Sequence, residues 1–214
     1  MFPPGHMHEV NAMGEIPGPI IDILRTNGVV AYPTSTLPGL ATLPTSEALD
    51  RLFALKQRRS DQPVSLGVAS LEQAELLVEV PSFAYRLLEA FDRGALTLIL
   101  DAHTPLDARL GGSRVAVRVF AHPIAISLAE AVGPVTATSA NEAGVAPLNE
   151  AHAAGQQLGL QASAILPGEC PGGKGSTLVS IVKSPDKPSG FSVSIMREGV
   201  IPTNDVDAWM LKNH

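Results

Sequence analysis

Short apolar runs, each closed by proline, glycine or a polar cluster, recur along the chain and set its predicted elements. Residues 29–32 (VVAY) follow Gly28 and predict a buried strand. Pro33 ends it, because proline cannot donate to a ladder. Similar runs predict strands at 64–69, 95–100, 115–119, 135–138, 162–166, 176–182 and 191–196. Helical spacing predicts helices over 16–27 and 149–158, and from Thr45 or Ser46 into Lys56-Gln57-Arg58-Arg59. Others begin at Ser70, run from Pro81-Ser82 to Arg93-Gly94, and run from His122-Pro123 to Gly133.

Local chemistry marks several boundaries. Pro19 lies near the first turn of the first helix, with Gly28 as its C-terminal glycine. Glu47 suits the dipole of the second helix, whose Leu49, Leu52, Phe53 and Leu55 fall on one face. Ser70 with Gln73 three residues on fits a capping box. Residues 34–39 form a loop carrying three hydroxyls, Thr34, Ser35 and Thr36, and residues 183–190 a surface turn. Helices and strands are interspersed without regular alternation. That order predicts one α/β (α+β) domain on a twisted mixed sheet, over 15–202, with no solenoid repeat. A flexible N-terminus, 1–14, and a polar tail, 203–214, flank it, with Trp209 tucking back.

Composition narrows the class. The chain has 214 residues, enough for one sizeable core, and 45% hydrophobic residues, which excludes a disordered chain. Net charge is -6, so a strongly basic nucleic-acid domain is not indicated, although a local basic patch is compatible with it. A single cysteine, Cys170, excludes an intrachain disulfide and suits a reducing, cytoplasmic compartment. No apolar run approaches a membrane span, and the N-terminus lacks a signal-peptide pattern. His6 and His8 are read as part of a frayed terminus, and the scattered histidines offer no metal cluster.

Four stretches carry candidate chemistry. Lys56 and Arg58 suit a helix C-terminus; the alternative is an anion site facing the hydroxyl loop. Residues 168–175 (GECPGGKG) approach a phosphate-loop pattern, but Gly175 follows Lys174 and a strand comes next, so a glycine-rich turn is the better reading. In residues 135–144 (VTATSANEAG), Ser139, Asn141 and backbone donors could form a phosphate nest or an ordinary Ser/Asx turn. Arg118 alternates with Val115 and Val117 on its strand; buried, it needs an anionic partner, and otherwise it is a surface arginine.

Taken in order, these motifs resemble the YrdC-like family, the threonylcarbamoyl-adenylate synthases of tRNA modification. Residues 32–40 (YPTSTLPGL) resemble the family's Y-P-T-D-T-x-Y-G-L, and Lys56-Gln57-Arg58 its K-x-R. Residues 115–118 resemble V-x-V-R, and Thr138-Ser139-Ala140-Asn141 with Gly144 resembles T-S-A-N-x-S-G. Ser176-Thr177 and residues 196–199 (MREG) resemble S-T-V-V and a late R-x-G. The resemblance covers roughly residues 15–200. It implies an open twisted sheet with a concave positive surface. It also implies ATP, L-threonine and bicarbonate as substrates, with Mg2+ carried by the nucleotide. By this resemblance Lys56 and Arg58 are catalytic, and Lys56, Arg58, Ser139, Asn141 and Arg197 bind ATP. Thr34, Arg118, Thr138 and Ser176 bind threonine, and no residue is a dedicated metal ligand. Partners of the tRNA-modification machinery, and double-stranded RNA, are further implied. A paralogue with another amino-acid substrate, or an RNA-binding module without catalysis, are the alternatives. The departures concentrate in one loop: Ser35 stands in place of the aspartate and Pro38 of the tyrosine. Gln62 and Ala143 replace a lysine and a serine, and residues 94–97 match P-G-P-x-T only in part. The extra C-terminal domain of longer relatives is not expected in this chain.

Overall fold

A computed structural model describes residues 15–213; the expectations for residues 1–14, including His6 and His8, lie outside them. Eight strands form one sheet in the order β1-β2-β6-β3-β5-β4-β7-β8. They are β1 (Val30–Tyr32), β2 (Gly39–Ala41), β3 (Ser65–Val68), β4 (Leu96–Asp101), β5 (Arg114–Val119), β6 (Val135–Ser139), β7 (Thr177–Lys183) and β8 (Phe191–Arg197). β3 pairs parallel with β5 and β4 parallel with β7, while the other neighbours run antiparallel, so the sheet is mixed as expected.

Period-2 alternation assigns the two faces. Leu96, Leu98 and Leu100 of β4, Val115 and Val117 of β5, and Val179 and Ile181 of β7 lie in one buried cluster. Helices complete that cluster: α2 (Ser46–Leu55) supplies Leu49, Leu52 and Phe53, α3 (Leu71–Ala74) supplies Ala74, α4 (Ser82–Glu89) supplies Phe83 and Leu87, α6 (Ala151–Gln157) supplies Ala154, and α7 (Thr203–Asn213) supplies Val206. A second cluster covers part of the opposite face. There α1 (Gly18–Arg25) and α5 (Pro123–Val132) bring Ile20, Leu24, Ala125 and Leu128 against Val30, Tyr32, Phe120 and Val135. Each fully buried Leu or Phe of this kind contributes roughly 1.5–3 kcal/mol. Gly67 of β3 is required by this packing: a Cβ there would lie inside the Phe120 ring. Beyond α5 the same face is left open over β4, β5 and β7.

Several sequence expectations are corrected. Residues 39–41 pair with β1 and β6, so the loop expected over 34–39 ends at Pro38 and a short strand that was not foreseen follows it. Residues 162–166 are not a strand; a 3-10 turn spans Ala162–Ala164, and Ile165 makes a single bridge to Ala31. The proposed tail is the helix α7, amphipathic enough for Trp209 to pack edge-on to Phe83 with ring centroids 5.6 Å apart. The helix expected to reach Arg93 stops at Glu89. The left-handed residue closing α1 is Asn27 (φ 61°), while Gly28 gives room to Ile23. Ser70 caps α3 (Leu71–Ala74) by accepting from the Gln73 N–H, but the Gln73 carboxamide turns to Ala69 and Ala129, so the capping box is half formed.

Candidate functional site

The open part of the sheet face is a cavity of about 570 Å³. Its floor is the face of β4 and β5 opposite the core: Thr97, Ile99, Arg114, Ala116 and Arg118. Its walls are the loop after β1, with Thr34, Thr36 and Leu37, the end of β6, with Thr138 and Ser139, and the segment entering β7, with Lys174 and Ser176. Arg58, Arg197 and Glu198 stand at its rim. Five cationic side chains and one carboxylate line it, in a chain whose net charge is -6. Arg114 is paired with Asp101 and Lys174 with Glu198, while Arg58, Arg118 and Arg197 meet no carboxylate among the described residues, and such cations gathered in a concavity focus a field that attracts anions.

Arg118 is 8% exposed. Its Nε donates to the Gly94 carbonyl (2.9 Å), and its Nη2 donates to the Thr36 hydroxyl (2.9 Å) and the Ser35 hydroxyl (3.3 Å). No carboxylate pairs with it among the described residues, and burial pushes the guanidinium below its ordinary value. Of the two sequence readings, the buried one holds. Gly94 has room for this contact because it lacks a Cβ, which would press on the Ser35 hydroxyl, and because its φ is +79°.

The hydroxyl loop is held from both sides. Thr34 donates through its hydroxyl to the Leu37 carbonyl (2.7 Å) and accepts from the Thr36 N–H (3.1 Å). The Thr34 N–H donates to the buried Cys170 thiol (3.2 Å), and the Gly172 N–H donates to the Thr36 carbonyl (2.8 Å). The glycine-rich segment therefore straps this loop and brings Lys174 to the cavity. No helix follows it, which excludes a phosphate loop. Ser176 is buried and shares a 2.6 Å hydrogen bond with Thr97.

The K-x-R run divides. Gln57 adopts a left-handed conformation (φ 49°) just after α2, so its neighbours part. Arg58 turns to the rim, donating to the Gln62 (2.7 Å) and Pro63 (3.0 Å) carbonyls. Burial, and then the charge of Arg197, lower its pKa. Arg197 itself donates to the Ser176 carbonyl (3.0 Å). Lys56 goes inward. It is 2% exposed, lies outside the cavity lining, and its ammonium donates to the carbonyls of Ser139 and Asn141.

Of the residues singled out in the sequence, Thr34, Arg58, Arg118, Thr138, Ser139, Ser176 and Arg197 meet in the cavity; Lys56 and Asn141 do not line it. The Asn141 amide donates to the Glu142 and Val145 carbonyls, and its Oδ1 accepts from the Ser139 hydroxyl. The N–H groups of Ala140, Asn141 and Ala143 are likewise taken by protein carbonyls. This turn therefore matches the Ser/Asx-turn reading of the sequence more closely than an open phosphate nest. Thr36, one of the three loop hydroxyls of the sequence reading, and Lys174, weighed there only in the rejected phosphate loop, also line the cavity, whereas Thr97 and Arg114 were not foreseen. For Thr97 and Arg114 the signal was alternation: each is polar at a cavity-facing position of a strand whose other face is apolar. Pro38 is buried, and its carbonyl accepts from Ala140 (2.7 Å), so it sits behind the wall. Among the described residues no group of His, Cys, Asp or Glu has the makings of a metal site, and no helix is long and apolar enough to cross a membrane.

Comparison with known proteins fits this geometry. Residues 22–199 match the family model described as telomere recombination, which unites Sua5, YciO and YrdC. A threonylcarbamoyl-AMP synthase of Pyrococcus abyssi is 33% identical over 190 residues, 86% of this chain. The chain spans only 54% of that relative's length. One of Vibrio vulnificus is 36% identical over 157 residues, 70% of this chain and 84% of its own. The structure of P. abyssi Sua5 complexed with L-threonine superposes with a TM-score of 0.75 at 30% identity, over 89% of this chain and 56% of that one. Escherichia coli YciO, at 24% identity, shares the fold with a TM-score of 0.69 over 88% of this chain and 93% of its own. The mixed eight-stranded sheet and the match over 22–199 place this chain in the Sua5/YciO/YrdC family.

Proposed function

We propose that the protein is a threonylcarbamoyl-AMP synthase, a nucleotidyltransferase that serves formation of N6-threonylcarbamoyladenosine in tRNA. The observation that carries this reading is the cavity: a buried, carboxylate-free arginine at one end, cations at the rim, and a row of hydroxyls between them. The reaction brings together a carboxylate, bicarbonate and a triphosphate, and fixed cations offset their repulsion.

In this reading the threonine nitrogen attacks the bicarbonate carbon, and water leaves as the carbamate forms. A carbamate oxygen then attacks the α-phosphorus of ATP. The bond from that phosphorus to the bridging oxygen breaks, and pyrophosphate departs with the electron pair. Arg118 holds the amino-acid carboxylate, with Thr34, Thr138 and Ser176 orienting the amino acid. Arg58 and Arg197 face the phosphates, and Lys174 adds charge at the same rim. The lining contains one carboxylate, Glu198, already engaged by Lys174 (2.9 Å) and the Thr203 N–H (3.0 Å). Magnesium therefore accompanies the nucleotide, held by phosphate oxygens and water.

A second reading, the same chemistry on another small amino acid, is favoured by one contact. Arg118 meets the neutral Ser35 hydroxyl at 3.3 Å, so the amino-acid end carries a whole uncompensated charge. Pyrophosphate release is the test for both. Release that requires L-threonine and bicarbonate supports the first. Release with a different amino acid supports the second, and none with any amino acid defeats both.

A further inference from the structure

Lys56 is the buried cation that the cavity does not use. Its ammonium reaches two carbonyls of one turn, Ser139 and Asn141, and its own carbonyl accepts from the Ala143 N–H (3.1 Å). Three hydrogen bonds thus fasten the C-terminus of α2 to the turn that follows β6. The same turn carries Ser139 and, one residue earlier, Thr138 in the cavity lining.

We infer that Lys56 is a positioning residue: it fixes the 139–143 turn, and through it the Thr138 and Ser139 hydroxyls, without touching the ligand. The inference rests on the nucleotide reading above and goes beyond it. Three observations support it. The side chain is 2% exposed and absent from the lining. The left-handed Gln57 sends Arg58, and not Lys56, to the rim. An ammonium has three donors, and two are already taken by the Ser139 and Asn141 carbonyls. Burial, reinforced by the charge of Arg58, brings the Lys56 pKa down to about 8. The neutral amine that forms above that pH still has two N–H groups, as many as there are acceptors. An anchor therefore outlives deprotonation, whereas a charge contact to phosphate does not.

The experiment is calorimetric titration of the full chain with ATP plus magnesium, and with AMP, at pH 7, 8 and 9. For the native chain, ATP affinity is expected to change by less than about twofold across this range, since the anchor retains its donors. Lys56→Met is expected to weaken ATP and AMP by the same factor, roughly tenfold for two lost charge-assisted hydrogen bonds. Lys56→Gln, which keeps two N–H donors but no charge, should recover part of that loss. Combined with Ser139→Ala, Lys56→Met should be non-additive, because both act on one turn. If native affinity for ATP falls by pH 9 toward the Lys56→Met value, or if Lys56→Met penalises ATP far more than AMP, Lys56 is a direct phosphate ligand and the inference is wrong. Should Lys56→Met fail to fold, the native pH series decides alone: a loss of roughly tenfold or more in ATP affinity between pH 7 and 9 overturns the inference, and a change under about twofold upholds it. Failure of the native chain to bind ATP at all would overturn the nucleotide reading and this inference together; ATP binding with a pH-dependent loss overturns this inference alone.

Discussion

One sheet face is finished in two different ways. Under α1 and α5 it is covered: Val30, Tyr32, Phe120 and Val135 are buried against Ile20, Leu24 and Leu128, and Gly67 lets the Phe120 ring lie flat on β3. Over β4, β5 and β7 it is bare, and the positions that would meet a helix are Thr97, Arg114, Ala116, Arg118 and Leu178. The covered half spends its residues on packing and so sets stability. The open half buries a guanidinium without a carboxylate, a cost to the fold that hydrogen bonds to Gly94, Ser35 and Thr36 offset only in part.

Breaking that division at Arg118 should have the largest effect. Arg118→Met removes a charged donor worth ~3 kcal/mol to a bound carboxylate, so threonine-dependent pyrophosphate release should fall roughly a hundredfold. The thermal midpoint should hold or rise, because the fold no longer buries an unpaired charge. A melting transition that collapses along with activity would show that Arg118 is structural.

Gly67→Ala attacks the covered half. The added methyl must displace the Phe120 ring, which is packed edge-on to Tyr32 at 5.6 Å. Overpacking of this kind costs about 1–3 kcal/mol. For a chain of this length that lowers the midpoint by roughly 2–12 °C. Turnover per folded molecule, measured well below the transition, should be nearly native; a selective loss of turnover would mean that the two halves are not independent.

Ser35→Asp sharpens the comparison by supplying the missing carboxylate. Ser35 Oγ lies 3.3 Å from Arg118 Nη2, within reach of an ion pair. The pair should stabilise the fold by about 1 kcal/mol and occupy a donor that the ligand would otherwise use. A raised midpoint with a changed KM for the amino acid is the expected result, read by melting and by pyrophosphate release across several amino acids. If neither moves, the Ser35 position has no bearing on amino-acid selection. The companion change at Pro38 is a poor probe, because Pro38 is buried behind the wall and a tyrosine there would overpack it.

The covered half was the more legible in the sequence, because apolar periodicity reports burial and little else. Leu96, Leu98 and Leu100 alternate, so β4 and its core face could be read directly. β2 could not: Gly39, Leu40 and Ala41 are too few to show a period, and they become a strand only because β1 and β6 offer ladders on both sides. Residues 162–166 misled in the opposite way, apolar enough for a strand but placed where a single bridge to Ala31 is available. In the open half, motif order named residues of which seven meet in one cavity, but not how they are arranged there. Nothing in Lys56-Gln57-Arg58 announces that a left-handed Gln57 sends the two cations to different places. Nothing in 168–175 announces that a rejected phosphate loop straps Thr34 and Thr36 and delivers Lys174 to the rim. Those facts depend on tertiary contacts between segments far apart in the chain, 83 residues for Lys56 and Ser139 and 136 for the Thr34 N–H and the Cys170 thiol.

The smallest effect is expected at the rim, from Glu198→Gln. Glu198 accepts from the Thr203 N–H at the start of α7 and from the Lys174 ammonium, and these contacts hold its pKa at about 2, below the ordinary 4.5. A carboxyl lowered in the folded state contributes stability above the unfolded value, and the contribution is lost as pH falls from 4.5 through 2. The side chain is 45% exposed and its partner 65%, so salt and water screen the pair and the effect should be small. Glutamine keeps an acceptor for the Thr203 N–H but loses the charge. Melting of the native chain and Glu198→Gln should therefore nearly coincide only at about pH 2 and below, and part slightly in favour of the native chain above pH 5, with the gap closing in high salt. A gap that persists in high salt would mean that Lys174 and Glu198 are bound as firmly as the groups of the covered half, and the contrast between the two halves would not extend to the rim.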